Sequence, residues 1–179
     1  MSLDLSQDSI SDLIDDLRYL QDEAEALKYV IDTVPHQRKT PAGTSIVERL
    51  LFLDHAQQNY FRPIIEEVFK SPRPINLNSI TSAEDSFELD EEKAADIQKV
   101  LYKISKHRVA ILNIIEKIPV IEWEREIKEG SDDISLFQLV QRMVLGERKI
   151  LKEIADLILT YQKDAEQQRE INNRGKARL

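Results

Sequence analysis

Apolar side chains recur at the spacing of one helical face in four separate stretches of this chain, each bounded by residues that stop helices. The first carries Leu13, Leu17, Leu20, Ala24, Leu27 and Ile31, between an acidic start and the turn sequence VPHQRKTPAG. The second opens with Ser45 and Glu48, a capping box in which each side chain satisfies a free amide of the other residue. Its spine runs Ile46, Leu50, Leu53, Phe61, Ile64 and Val68, and Pro63 within it is expected to kink the helix. The third begins at Asp90 and presents Ile97, Val100, Leu101, Ile104, Ile111, Ile115 and Ile118. It ends before Pro119, because a residue preceding proline resists helical backbone angles. A second capping box, Ser135 with Gln138, opens the fourth, whose spine is Leu136, Leu139, Val140, Met143, Ile150, Ile154, Leu157 and Ile158.

Residues 70–89 hold three clusters of turn-forming residues and read as a long crossing loop. The connector PVIEWEREIKEG carries the single tryptophan, Trp123, expected to close one end of the helices as a lid. Beyond Tyr161 the chain turns polar. The pattern therefore predicts an all-α fold with essentially no sheet: an antiparallel four-helix bundle over residues 1–163, with a long link between the second and third helices. Residues 164–179 are expected to form a fraying polar tail.

Composition narrows the function classes. Apolar residues are 41% and charged residues 32%, the balance of a helix-rich globular domain rather than a disordered chain. A net charge of −8, from 33 acidic against 25 basic side chains, removes the electrostatic driving force for tracking nucleic-acid phosphates, so no nucleic-acid partner is expected. With no cysteine there is neither disulfide nor thiolate chemistry. The acidic N-terminus does not resemble a secretory signal, and no apolar run approaches the roughly 20 residues that span a bilayer. A cytoplasmic protein with no membrane partner is expected.

Extending the spines through their gaps exposes a polar layer. Arg108 falls on the third spine between Ile104 and Ile111, Glu147 on the fourth between Met143 and Ile150, and Gln57 on the second between Leu53 and Phe61. All three lie at similar depth. The layer reads either as a buried ion pair with a hydrogen-bonded amide that fixes helix register, or as the polar part of a ligand pocket. Gly146, inside the fourth helix, costs about 1 kcal/mol relative to alanine, and close approach of a neighbouring helix is the expected reason, ahead of backbone approach by a ligand.

The histidines offer little as ligands. His55 lies on the flank of Leu51 and Ile65 and reads as a surface or boundary residue, and His36 sits in a turn. His107 has no histidine or carboxylate one turn away on its own helix. The Glu-x-x-His pairs that di-iron bundles use do not occur.

TSIVERLLFL resembles the motif that opens the second helix of the DinB-like (YfiT-like) family, usually Trp-Ser-Ile-x-Glu-x-Leu-x-His-Leu, with Thr44, Ser45, Ile46, Glu48, Leu50, Phe52 and Leu53 in register. SLFQLVQRMVLGERKIL is similar to the family's fourth-helix motif, His-x-x-x-His followed by an acidic residue. Arg142 and Gly146 stand at its two histidine positions and Glu147 is the acidic follower. The resemblance covers most of the chain in helix order. It implies a bundle that binds a divalent metal through three histidines, with some members acting as thiol-dependent transferases or isomerases.

Phe52, Arg142 and Gly146 occupy all three implied ligand positions, and none supplies a metal donor. Neither a metal nor another cofactor is therefore expected. Two functions remain open. One is a non-catalytic structural or interaction module, homodimeric through a helix face. The other is a metal-free small-molecule binder or transferase-like enzyme using Gln57, Arg108, Glu147 and Arg142, with the arginines receiving a carboxylate or phosphate. A packed interior favours the first and an open cavity beside the polar layer favours the second.

Overall fold

The computed structural model describes residues 5–176 and is mostly helical, 74% helix against 6% strand. Ser6 accepts a hydrogen bond from the Ser9 amide and starts α1 (Gln7–Val30), which buries Ile10, Leu13, Leu17, Leu20, Ala24 and Leu27. The Ser45–Glu48 capping box forms in full and starts α2 (Ile46–His55). The remaining long helices are α6 (Ile97–Ile115) and α7 (Leu136–Lys176). Both α1 and α2 pack against α6 and α7, so the four apolar faces meet in one contiguous core. Burying a leucine or isoleucine contributes roughly 1.5–3 kcal/mol, which makes this meeting of faces the main source of stability. No helix among the described residues is long and apolar enough to cross a membrane.

The second helix runs on through Pro63. A π-helical turn (Ala56–Phe61) follows α2 and leads directly into α3 (Arg62–Lys70), with the Arg62 amide donating to the Gln57 carbonyl, five residues back. Proline has no N–H to donate and its ring crowds the carbonyl four residues earlier, so one extra residue in the turn resolves the conflict. The phase of the helix changes with it: Gln57 is wholly buried, whereas Phe61, expected on the spine, is only half-buried.

The expectation of essentially no sheet is corrected. β1 (Ile75–Asn76) pairs in parallel with β2 (Glu126–Glu129), and β2 pairs antiparallel with β3 (Asp132–Ser135). Gly130, at φ +67°, provides the positive φ that a two-residue hairpin turn needs at its first position. Ile127 and Ile134 sit opposite each other and face the core, while their charged neighbours face out.

Residues 70–89 are likewise not one irregular loop. Besides β1 they hold a single 3-10 turn (Leu77–Ser79) and α4 (Ala83–Ser86), capped by Ser82. Arg125 Nη2 donates to the Ser71 carbonyl, and the Gly130 amide donates to Asn78 Oδ1 at 3.0 Å, so the segment is fastened to the hairpin. The third helix is not continuous from Asp90. Asp90 and Asp96 each cap the segment that follows, giving a short α5 (Glu91–Ala94) and then α6. Aspartate competes for nearby backbone amides and favours such starts.

Trp123, in a 3-10 segment (Val120–Glu124), is completely buried and meets Phe137 edge-to-face at 6.2 Å. The segment packs against α7. Residues 164–176, expected to fray, instead continue α7 as helix, although the side chains of 163–175 are exposed.

Candidate functional site

Phe52, Leu53 and Ala56 project from α2 and its π turn toward Leu139, Met143 and Ile150 on α7. Between the two helices lies a cleft of about 230 Å³, bounded further by Tyr60, Phe61, Ala83 and Glu84. All three positions at which the resemblance calls for histidine, Phe52, Arg142 and Gly146, line this one cleft, as does Glu147. Gly146 therefore needs a different explanation from the close helix packing expected of it. A Cβ built there meets nothing within 4 Å, and its missing side chain leaves the cleft open.

Beside the cleft the structure brings Gln57, Arg108 and Glu147 together. Arg108 Nη2 donates to Glu147 Oε2, and Gln57 Nε2 donates to Glu147 Oε1 at 2.9 Å. Their exposures of 0%, 2% and 5% make this a desolvated network in which both carboxylate oxygens are occupied. Arg108 Nε and Nη1 and Gln57 Oε1 have no hydrogen-bond partner among the described residues. Burial pushes the guanidinium down to about 9, which still leaves it protonated at neutral pH. A buried charge left alone costs several kcal/mol, so each ion here requires the other.

Arg142 is not part of that network. It is half-exposed at the mouth of the cleft, where Nη1 donates to Glu129 Oε1 at 2.7 Å. That bond raises Arg142 and lowers Glu129 from their ordinary values. Opposite, burial and then the Glu129 charge push the Tyr60 phenol up. His55 is a half-buried boundary residue: Nε2 lies 2.9 Å from Ser86 Oγ and Nδ1 lies 2.9 Å from Asn59 Nδ2. Its ring and that of Phe52 both meet Phe87 edge-on at 5.5 Å, which fastens α4 over α2.

One polar group escaped the sequence reading. Asp54 is buried on the face of α2 opposite the cleft, and His107 Nε2 lies 3.6 Å from its Oδ1. The carboxylate that His107 lacks on its own helix thus comes from a neighbouring one. Burial raises the Asp54 carboxyl and lowers the His107 imidazole, both toward their uncharged forms. The signal was present: Asp54 follows Leu50 by four residues and Val47 by seven, an interior position by period.

Among the described residues, no group of three or more histidines or carboxylates could hold a metal ion. Comparison with protein-family models, with curated protein sequences and with solved structures finds no match.

Two outcomes are expected from this geometry. Glu147→Ala strands the Arg108 guanidinium and should destabilise the fold by roughly 3–5 kcal/mol, whereas Arg108→Met with Glu147→Leu should cost much less. Urea unfolding of the single and double variants measures the coupling, and additive effects would refute it. Gly146→Ala should stabilise by about 1 kcal/mol, because the new methyl meets open space in a helix interior. A lowered urea midpoint would show that the glycine is needed for packing.

Proposed function

We propose that this chain is a small-molecule binder built as an antiparallel four-helix bundle of the DinB-like type, working without a metal. The observation that carries the reading is the placement of Phe52, Arg142 and Gly146 around a single open cleft beside the Arg108–Glu147–Gln57 network. Replacing imidazoles with a phenyl ring and a glycine turns a coordinating pocket into an apolar one, and ligand pockets are typically apolar with few polar groups. The ligand class follows from the lining. An aromatic or branched apolar body fills the cleft, and a carboxylate at its end takes Arg142 from Glu129 at the mouth. Both Glu147 oxygens are already engaged by Arg108 and Gln57, and the side chain serves as a wall. No catalytic group is assigned, and a cytosolic setting suits a chain without cysteine.

Phenylacetate is a suitable probe. Titration followed by amide NMR should give saturable shifts in residues 52–61 and 139–150. Gly146→Leu, which fills the cleft, should abolish them, and Arg142→Ala should weaken binding about tenfold, the loss of one charge-assisted hydrogen bond. Shifts elsewhere, or shifts that survive Gly146→Leu, would refute the proposal.

The outer face of α7 supports a second reading, a homodimeric interaction module. Leu145 and Leu159 are exposed at 55% and 54% and lie two heptads apart. An antiparallel pairing of two α7 helices about Lys152 sets each Leu145 against a Leu159. Sedimentation equilibrium should show a dimer that Leu145→Glu with Leu159→Glu converts to monomer. A wild-type chain that sediments as a monomer removes this reading.

A further inference from the structure

We infer that a second pocket, on the opposite side of α2 from the cleft, binds a small zwitterion through Asp54 and the paired lysines of α6. The pocket holds about 270 Å³ between α2, α5 and the first turns of α6, and Asp54 lines it. The Asp54 side chain is only 10% exposed, and its Oδ1 accepts no hydrogen bond among the described residues. His107, at 3.6 Å, lies beyond hydrogen-bond reach. A carboxylate this deeply buried and this poorly paired is costly to the fold, and a cationic ligand group would compensate it.

The other charges in the pocket separate into those committed to the fold and those left over. Asp90 caps α5 by accepting from the Lys93 amide and pairs with the Lys93 ammonium at 3.2 Å. Asp96 caps α6 by accepting from the Lys99 amide. Glu92 is exposed at the rim. Lys99 and Lys103 remain, one helical turn apart on the same wall, and neither makes an ion pair among the described residues. Leu51 and Val100 supply the apolar surface between.

The groups without an ion pair are thus the buried Asp54 carboxylate, the two ammonium groups of Lys99 and Lys103, and the Glu92 carboxylate out at the rim. A simple cation would meet the lysines, and a simple anion would meet Asp54. A primary ammonium joined through a short apolar chain to a carboxylate satisfies both ends, the ammonium on Asp54 and the carboxylate on Lys99 and Lys103. His107 flanks the Oδ1 side of the Asp54 carboxylate without hydrogen-bonding it, so its ring protons report on the pocket without touching the ligand.

The test compares γ-aminobutyrate, n-butylammonium and butyrate at equal ionic strength, followed by amide NMR and by the ring-proton shift of His107. The zwitterion should give saturable shifts in residues 51–55 and 96–107, with each single-charge probe binding at least about tenfold more weakly. Asp54→Asn should remove binding. Lys99→Gln with Lys103→Gln, surface changes that leave the core intact, should reduce the zwitterion to the level of n-butylammonium. Equal binding of n-butylammonium, an unchanged affinity in the double lysine variant, or no saturable shift with any of the three probes would overturn the assignment.

Discussion

The contact on which the rest of the molecule depends is the buried ion pair between Arg108 and Glu147, extended by Gln57 to the π turn that follows α2. The apolar layers around it are held by hydrophobic burial, which is strong but non-directional and tolerates small slides of one helix along another. Two opposite charges at one depth do not tolerate them. A slide of α6 past α7 by a single turn would leave both ions unpaired in a medium that solvates neither. The pair therefore fixes the relative height of these helices, and the Gln57 amide ties the second helix to the same level.

That tie depends on the π turn. The extra residue between Ala56 and Phe61 is what Pro63 requires, and it turns Gln57 fully inward while drawing Phe61 toward the surface. Just before the turn, α2 presents a different surface on each side. Toward α7, Phe52 and Leu53 of α2 and Ala56 of the turn form a wall across from Gly146, and the missing side chain keeps that space open. Toward α6, Asp54 of α2 faces His107. Two polar loci with different chemistry thus sit back to back on one helix, separated only by its own width.

The small sheet has a quieter role. Its three strands join the segment after α3 to the connector before α7, and the only side chains it adds to the core from β2 and β3 are Ile127 and Ile134. Through Glu129, at the end of β2, it also holds Arg142 at the mouth of the cleft. A helix-only reading had no reason to place an acceptor there.

Periodicity and capping residues were enough to place helix along the four apolar stretches, the capping boxes of the second and fourth, and the interior positions of Gln57, Arg108 and Glu147, because each is encoded within one or two turns of its own helix. The hairpin was also legible in principle, through the Gly130–Ser131 turn between two segments that each bury one isoleucine, but single buried residues are a weak signal beside long helical spines. What the chain could not reveal locally concerns pairs of elements. His107 meets its carboxylate only because α2 packs on α6, Arg142 finds Glu129 across a strand, and Gly146 faces a cleft instead of a helix. Such relations depend on how neighbouring surfaces are set against each other, and the spacing of residues along one element carries no information about the element it will meet.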